Sequence, residues 1–250
     1  MLNIVVPMAG RGSRFAVAGY ADPKPLIPVH GVPMIRLVID NLTPPAEHRF
    51  VFICQRDHVA AYGLAELLPR WSPGAVVVEI DGITEGAACT VLAARDLIDS
   101  DDPLVIANSD QFVDYPMADY VAALADLDGL IMTMWADDPK WSFVAKDAEG
   151  LVTRVVEKEV ISEEATVGIY SFARGREFVR GADEMIAADA RVNGEFYVAP
   201  VYEQLIAGGG RIGTVSIGAV GDGMYGLGTP GDLDAFLALP LSAEATGRVR

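Results

Sequence analysis

Four short apolar segments alternate with helical patterns over residues 1–108, and this alternation limits the fold more than any other feature. The segments are LNIVVP at 2–7, FVFICQ at 50–55, AVVVEI at 75–80 and PLVIAN at 103–108. Continuous apolar runs rich in β-branched residues are typical of strands buried on both faces of a parallel sheet. Because helical crossovers are right-handed, the pattern predicts an α/β fold with a doubly wound, mainly parallel sheet.

The connections between these strands carry three helical patterns, PMIRLVIDNL, DHVAAYGLAELL and EGAACTVLAARDLI. Asp57 and Thr84 stand at the start of the second and third patterns. Their side chains can accept from backbone N–H groups, so we predict that they cap these helices.

From about residue 129 the pattern changes to strands separated by acidic and glycine-containing turns. The segments GLIMTMWA, SFVAKD, LVTRVVEK and EATVGIYSF predict a mixed or antiparallel extension of the sheet. Helical patterns follow at about 174–188 and 195–207, then a strand pattern RIGTVSIG. A last helix is expected from Pro230, with Thr229 as its cap.

These patterns predict a single domain at 1–240. Its first half, 1–128, would bind a nucleotide, and its second half, 129–240, would bind a substrate. The tail at 241–250 is predicted to be frayed, as chain termini often are.

The composition limits the partners of the chain. The net charge of -16 argues against nucleic acid or an anionic membrane, because both need a basic surface. Only a locally positive pocket could then bind phosphates. No apolar stretch approaches the ~18 residues of a membrane span, and the first apolar run breaks at Pro7, unlike a signal peptide. With two cysteines in apolar surroundings, we expect a cytoplasmic protein.

The turn MAGRGSRF at 8–15 follows the first strand, where open α/β sheets bind ligands. Gly10 and Gly12 leave backbone N–H groups free to face an anion, and the Arg14 guanidinium can hold phosphate oxygens. The turn is not a dinucleotide motif, because Phe15 occupies the third glycine position and no helical pattern follows at once. A plain surface turn is the alternative.

Lys24 and Asp110 are candidate partners of this turn. Lys24 lies between Pro23 and Pro25, which present it from a stiff segment, although such a segment also serves as a rigid connector. Asp110 ends the fourth strand, which flanks the first at the point where the strand order reverses. There it can hold Mg²⁺ together with substrate phosphates, or form an Asx turn.

Taken together, these segments resemble the sugar-phosphate nucleotidyltransferases, the pyrophosphorylases with a GT-A-like fold. The resemblance rests on MAGRGSRF followed by KPLIPVHGVPMI. Similar motifs continue along the chain: TEGAACTVLAA (84–94), NSDQF (108–112), VVEKE (155–159), TVGIYSF (166–172) and GLGTPGDL (226–233).

The resemblance implies that the phosphate of a small substrate attacks the α-phosphorus of an NTP and releases pyrophosphate. Arg14 would hold the pyrophosphate, Lys24 the α-phosphoryl group and Asp110 the Mg²⁺. Gly86 and Ala87 would admit the nucleoside, because a larger side chain would collide with it. The implied nucleotide-binding residues are Ala9, Gly10, Gly12, Ser13, Glu85, Gly86 and Ala87, and the implied substrate-binding residues are Glu157, Lys158, Gly168, Glu195 and Tyr197.

The chain also departs from the family pattern. Gly226 occupies the position of a second metal-binding aspartate, so either Asp222 replaces it or one carboxylate suffices. Asp222 is equally well explained as a turn residue between two glycines. The short chain looks closest to cytidylyltransferase-like members, some of which act on small phosphorylated substrates for surface glycans, and this favours CTP.

Other interpretations stay open at this stage. Trp135 and Trp141 flank two aspartates and would form an aromatic, acidic pocket for a cationic group, or one core and one turn residue. A family-2-type glycosyltransferase using an NDP-sugar is the alternative function, and a non-catalytic nucleotide-binding regulator is a third. Apolar strands in the second half are compatible with a homodimer.

Overall fold

The computed structural model describes residues 1–10 and 12–249. Its strands are β1 (Leu2–Pro7), β2 (Pro28–Val29), β3 (Val32–Pro33), β4 (His48–Gln55), β5 (Val76–Ile80), β6 (Leu104–Ala107), β7 (Gln111–Val113), β8 (Gly129–Trp135), β9 (Ser142–Lys146), β10 (Val152–Glu157), β11 (Glu164–Phe172), β12 (Ile212–Val220) and β13 (Gly223–Gly226).

The α-helices are α1 (Ser13–Val17), α2 (Met34–Leu42), α3 (Arg56–Tyr62), α4 (Leu64–Trp71), α5 (Ala87–Leu92), α6 (Arg95–Ile98), α7 (Met117–Ala122), α8 (Gly175–Ala187), α9 (Tyr202–Ala207), α10 (Pro230–Leu237) and α11 (Pro240–Arg248). Two 3-10 turns lie at Lys24–Leu26 and Ala199–Val201. Within the described ranges, no helix is both long enough and apolar enough to cross a bilayer.

The main sheet has the strand order β5-β4-β1-β6-β11-β8-β12-β13-β7, and β9 and β10 extend it from β11. In the first half, β1 pairs in parallel with β4 and β6, and β4 with β5, so the predicted parallel sheet is confirmed. β11 runs antiparallel to β6 and β8, while β12 runs parallel to β8, which confirms the mixed extension. One sheet therefore contains strands from both predicted halves of the chain, 1–128 and 129–240.

β1 shows why the apolar runs become central strands. Ile4, Val5 and Val6 are each 0% exposed, because helices cover both faces of the sheet. Ile4 and Val6 belong to one core cluster and Val5 to the other, as alternation along a strand requires. The apolar run thus fills two cores and leaves only its carboxyl end open to solvent.

The predicted frayed tail is wrong, because α11 packs on the domain. Ser242 is 0% exposed and its hydroxyl lies 2.8 Å from Nε2 of His30. Ala245 belongs to a third apolar cluster, which also contains Phe15 and Phe236. Some of the contacts that hold this helix come from residues far away in the sequence, such as Phe15 and His30, and its own pattern does not reveal them.

Of the three residues predicted to cap helices, one does so. Thr229 caps α10 as expected, and its hydroxyl accepts from the N–H of Asp232 at 3.1 Å. Asp57 and Thr84 are not caps, since α3 begins one residue before Asp57 and α5 begins after Gly86. The helix predicted over 195–207 is shorter, comprising the 3-10 turn and α9.

Candidate active site

The glycine turn after β1 lies against the segment that carries Lys24. Gly12 has a φ of 58°, and a Cβ at this position would lie 3.2 Å from Cβ of Lys24. A larger residue there would be strained in its backbone and crowded by the lysine. The helix α1 then starts directly after Gly12, contrary to the expectation that no helix follows at once.

Lys24 and Asp110 form an ion pair at the carboxyl ends of β1 and β6. Nζ of Lys24 donates to Oδ2 of Asp110 at 2.8 Å, and the two side chains are 22% and 23% exposed. The loop before α10 closes over the carboxylate, because a Cβ on Gly228 would lie 2.7 Å from Oδ2 of Asp110. The structure thus brings together the lysine and the acid that the sequence pattern placed at one site.

A cavity of about 350 Å³ surrounds this pair. Of the residues predicted to bind the nucleotide, four line it: Ala9, Gly10, Gly86 and Ala87. Glu195, predicted on the substrate side, lines this cavity instead. Among the residues that the structure describes, the charged lining residues are one lysine and two carboxylates, so these described side chains alone do not make the cavity positive.

The remaining predicted nucleotide residues lie beside the cavity. Ser13 and Arg14 are exposed on α1, and neither is among the lining residues. Glu85 is also exposed and forms an ion pair with Arg191, at 2.5 Å. Gly12 is not among the lining residues, but it lies against Lys24, which lines the cavity.

A backbone contact requires glycine at position 86. Its φ is 135°, and an added Cβ would lie 2.3 Å from the carbonyl oxygen of Phe196. Two backbone hydrogen bonds flank this contact. The N–H of Phe196 donates to the carbonyl oxygen of Glu85 at 2.8 Å, and the N–H of Ala88 donates to the carbonyl oxygen of Phe196 at 3.0 Å. The loop at residues 85–88 is therefore fastened to the segment that carries Glu195 and Tyr197.

A second cavity of about 270 Å³ adjoins the first. Three of the residues predicted to bind the substrate line it, namely Glu157, Gly168 and Tyr197. Among the described residues, Ala87 and Asn108 line both cavities. A ligand in one cavity would thus meet a ligand in the other at these two side chains.

Glu157 and Lys158 occupy different environments. Glu157 is 8% exposed and accepts a hydrogen bond from the Ser142 hydroxyl, and its burial raises the pKa of its carboxyl. Nζ of Lys158 lies 2.6 Å from the Tyr197 hydroxyl and 4.7 Å from the centre of its ring. The bond to Tyr197 raises the pKa of Lys158, so its ammonium stays charged at neutral pH.

The aromatic, acidic pocket considered for the two tryptophans does not form as described. Trp141 lines the second cavity, but the ammonium of Lys140 lies 5.2 Å from the centre of its ring. Trp135 is 53% exposed and is not among the residues lining either cavity. A cationic substrate group would compete with Lys140 for the indole face.

Asp222 does not join Asp110. β7 and β13 run antiparallel, with Asp110 bonded to Leu227 at one end and Asp114 bonded to Gly223 at the other. Asp222 thus lies about five strand positions from the level of Asp110, or roughly 16 Å. Among the described residues, no group of three or more His, Cys, Asp or Glu side chains could hold a metal ion.

Sequence reasoning missed several polar residues of the two cavities. Thr84 and Thr90 line the first, with their hydroxyls 2.6 Å apart, and Ser142 and Lys140 line the second. Asn108 was part of the quoted motif NSDQF, but no role was predicted for it. Nothing in the local sequence indicates that strand pairing brings these side chains into the same two cavities.

Comparisons with known proteins agree with this geometry. The bifunctional protein GlmU of Chromohalobacter salexigens is 28% identical over 229 residues, which are 86% of this chain and 47% of that protein. Mannose-1-phosphate guanyltransferase of Schizosaccharomyces pombe is 25% identical over 178 residues, which are 68% of this chain and 49% of that protein. The chain spans about half the length of these curated relatives.

Solved structures share the fold along nearly the whole chain. A nucleoside-diphosphate-sugar pyrophosphorylase from Vibrio cholerae RC9 has a TM-score of 0.82 at 26% identity, covering 94% of this chain and 100% of that one. For the inositol-1-phosphate CTP transferase from T. maritima, the TM-score is 0.71 at 14% identity, with 99% and 97% covered, and this likeness concerns the fold alone. The sequence profile described as Nucleotidyl transferase matches residues 4–184, and the chain therefore belongs to the nucleotidyl transferase family.

Proposed function

We propose that the protein transfers a nucleoside monophosphate from an NTP to a sugar phosphate or another small phosphorylated substrate, releasing pyrophosphate. The observation that carries the proposal is the pair of adjoining cavities. One holds the Lys24–Asp110 pair, and the other is lined by Glu157 and Tyr197, with Lys158 bonded to Tyr197. A transfer between two bound phosphates needs two such sites that meet at one point.

The proposed chemistry is positioning and charge neutralisation. A substrate phosphate oxygen forms a bond to the α-phosphorus while the bond from that phosphorus to the leaving oxygen breaks. Lys24 balances charge on the α-phosphoryl group, and Arg14, on α1 next to the cavity, reaches the pyrophosphate. Lys158 binds the substrate phosphate, and Glu157 accepts from a substrate hydroxyl.

The first cavity suits a Mg²⁺ ion that arrives with the triphosphate. Mg²⁺ is usually bound through one or two carboxylates together with substrate phosphates and water, so Asp110 alone meets the requirement on the protein side. When bound there, the ion supplies positive charge to the phosphate oxygens. Asp222 has no part in this proposal because of its distance from Asp110.

The remaining nucleotide and substrate residues keep supporting roles in the proposal. Ala9, Gly10 and Ala87 leave room for the nucleotide, with Ser13 beside them on α1, while Gly12 and Gly86 shape the backbone around it. Glu85 fixes the Gly86 loop through Arg191. Gly168 and Tyr197 form part of the substrate wall, and Glu195 faces the nucleotide.

We further propose CTP as the NTP and surface-glycan synthesis as the setting, on the resemblance to short cytidylyltransferase-like members. The structural likeness to an inositol-1-phosphate CTP transferase extends over 99% of this chain but concerns fold alone, so the base rests on the motif resemblance. A cytoplasmic location agrees with free cysteines at Cys54 and Cys89. A homodimer stays a prediction.

The decisive experiment measures pyrophosphate release for each of CTP, UTP, GTP, ATP and dTTP, paired with a panel of sugar 1-phosphates and small phosphoesters. We expect pyrophosphate only when both an NTP and an acceptor are present, with Mg²⁺. Mass spectrometry of the product would identify the NDP-linked compound. CTP should give the highest kcat/KM, and a preference for another NTP would overturn the choice of base while leaving the transfer reaction intact.

The same assay separates the alternatives. A family-2-type glycosyltransferase would release no pyrophosphate and would instead consume an NDP-sugar. A non-catalytic regulator would bind nucleotide without turnover with any acceptor. Either result would contradict the proposed transfer.

A further inference from the structure

We propose that Asn108 is a further catalytic residue, whose side-chain amide donates a hydrogen bond to the phosphate oxygens at the point of transfer. The inference rests on the proposed function of the two cavities. Asn108 stands directly after β6, two residues before Asp110, in a position that the family resemblance left without a role.

Its location at the junction is the first observation. Asn108 and Ala87 line both cavities, and of the two only Asn108 has a polar side chain. If the NTP occupies the cavity of Lys24 and the substrate phosphate that of Tyr197, the new P–O bond forms between them. Asn108 is therefore the polar side chain placed beside both reacting phosphates.

Two hydrogen bonds also hold Asn108 in place. Its Nδ2 donates to Oε1 of Gln111 at 3.3 Å, and its backbone N–H donates to the carbonyl of Gly168 at 3.2 Å. Gln111 is only 4% exposed, so it forms a fixed support. An amide nitrogen carries two N–H groups, and the one not used by Gln111 can serve a ligand.

Gly168 shows how closely the fold accommodates this side chain. With a φ of 83°, it sits where a Cβ would lie 2.1 Å from Nδ2 of Asn108. Any other residue at 168 would push the amide out of its present place. The glycine of the TVGIYSF segment thus makes room for Asn108, in addition to lining the second cavity.

A neutral donor is chemically suited to this point. The attacking oxygen and the α-phosphoryl group both carry negative charge, and their repulsion opposes the approach. A fixed N–H lowers this repulsion and adds no charge that would hold the product. A carboxylate in the same place would increase the repulsion, although it has nearly the same shape as the amide.

The experiment compares Asn108→Ala and Asn108→Asp with the wild type in the pyrophosphate assay. We expect kcat to fall about 10²-fold for Asn108→Ala, the usual loss for one positioned donor. We expect a further loss of at least about 10-fold for Asn108→Asp, following the same electrostatic argument. Calorimetric Kd values for Mg–NTP should change less than about threefold in Asn108→Ala, since the donor acts mainly during transfer.

Asn41→Ala is the matched control, because the Asn41 amide bonds to the backbone of Val113 and lines neither cavity. It should lower the denaturation midpoint and leave kcat unchanged. If Asn108→Asp is more active than Asn108→Ala, or if Asn108→Ala retains wild-type kcat, the catalytic role is overturned in favour of a structural one. A wild type that releases no pyrophosphate with any pair would overturn the proposed function and this inference together.

Discussion

Replacing Gly86 by alanine tests how the loop at residues 85–88 is fastened to the segment that contains Phe196. The φ of 135° and ψ of 173° at Gly86 lie in a region that is essentially restricted to glycine. The added Cβ would also lie 2.3 Å from the carbonyl oxygen and 2.5 Å from the nitrogen of Phe196. Because both close atoms belong to the backbone, no side-chain rotation can relieve the contact.

The expected loss of stability follows from these two terms. Backbone strain of this kind costs about 1–3 kcal/mol. Moving Phe196 away breaks its two backbone hydrogen bonds, to Glu85 and Ala88, each of which contributes about 0.5–1.5 kcal/mol net. We therefore expect Gly86→Ala to lower the free energy of unfolding by about 2–6 kcal/mol.

Urea denaturation of both proteins measures this loss, and Gly150→Ala is the control. Gly150 also has a positive φ, of 83°, but its Cβ would meet no heavy atom within 4 Å. That variant should lose only about 1–2 kcal/mol. Equal losses in the two variants would refute the view that the Phe196 contact, rather than backbone strain alone, requires glycine at 86.

Further predictions concern charge at the two cavities and the core. Lys24→Ala and Arg14→Ala should each lower kcat about 10²–10³-fold in the pyrophosphate assay, because each removes a positive group from the phosphates; unchanged kcat would contradict the role of that residue. Asp222→Ala should leave the Mg²⁺ dependence of kcat unchanged, and a large rise in the Mg²⁺ requirement would contradict its exclusion. Burial raises the pKa of Glu157, so the folded protein keeps this proton at a pH where the unfolded chain, with an ordinary value of about 4.3, has lost it. As the pH rises from below about 4.3 through the raised pKa, the free energy of unfolding of the wild type should therefore fall relative to that of Glu157→Gln. Urea midpoints measured at several pH values would test this. Burial raises the pKa of Cys54 to about 12, so a chromogenic disulfide reagent at pH 8 should modify it only after unfolding.

The parallel half of the fold could be predicted because its local pattern carries the information. Strands buried on both faces need continuous apolar runs, and β1 and β6 have them. The pairing of β7 with β13 could not be predicted, because β7 has only three residues and its partner lies in the other half of the chain. The packing of α11 depends likewise on distant residues such as His30.

The candidate site, like the fold, could be predicted only in part. Asp110 stands at the end of a predicted strand and Lys24 lies between two prolines after the glycine turn. Both belong to distinctive motifs, so their meeting was predicted. The reason for glycine at position 86 could not be predicted. The atoms that require it are backbone atoms of Phe196, which lies in a loop far away in the sequence. Asn108 was likewise quoted only as part of the motif NSDQF, without a role of its own. Its place at the junction appears only when β11 brings Gly168 beside it.

The charges of the cavity around Lys24 bear on how a chain with a net charge of -16 would accept a triphosphate in the proposed reaction. Lys24 is already paired with Asp110, and Glu195 adds a second carboxylate to the lining. The cavity therefore gains little attraction for a free triphosphate from these three side chains. In the proposed reaction, Lys24 would turn from Asp110 toward the phosphates, and a cation that arrives with the triphosphate would balance the carboxylate that the lysine leaves. The ion pair would thus favour the metal-bound form of the nucleotide over the free one.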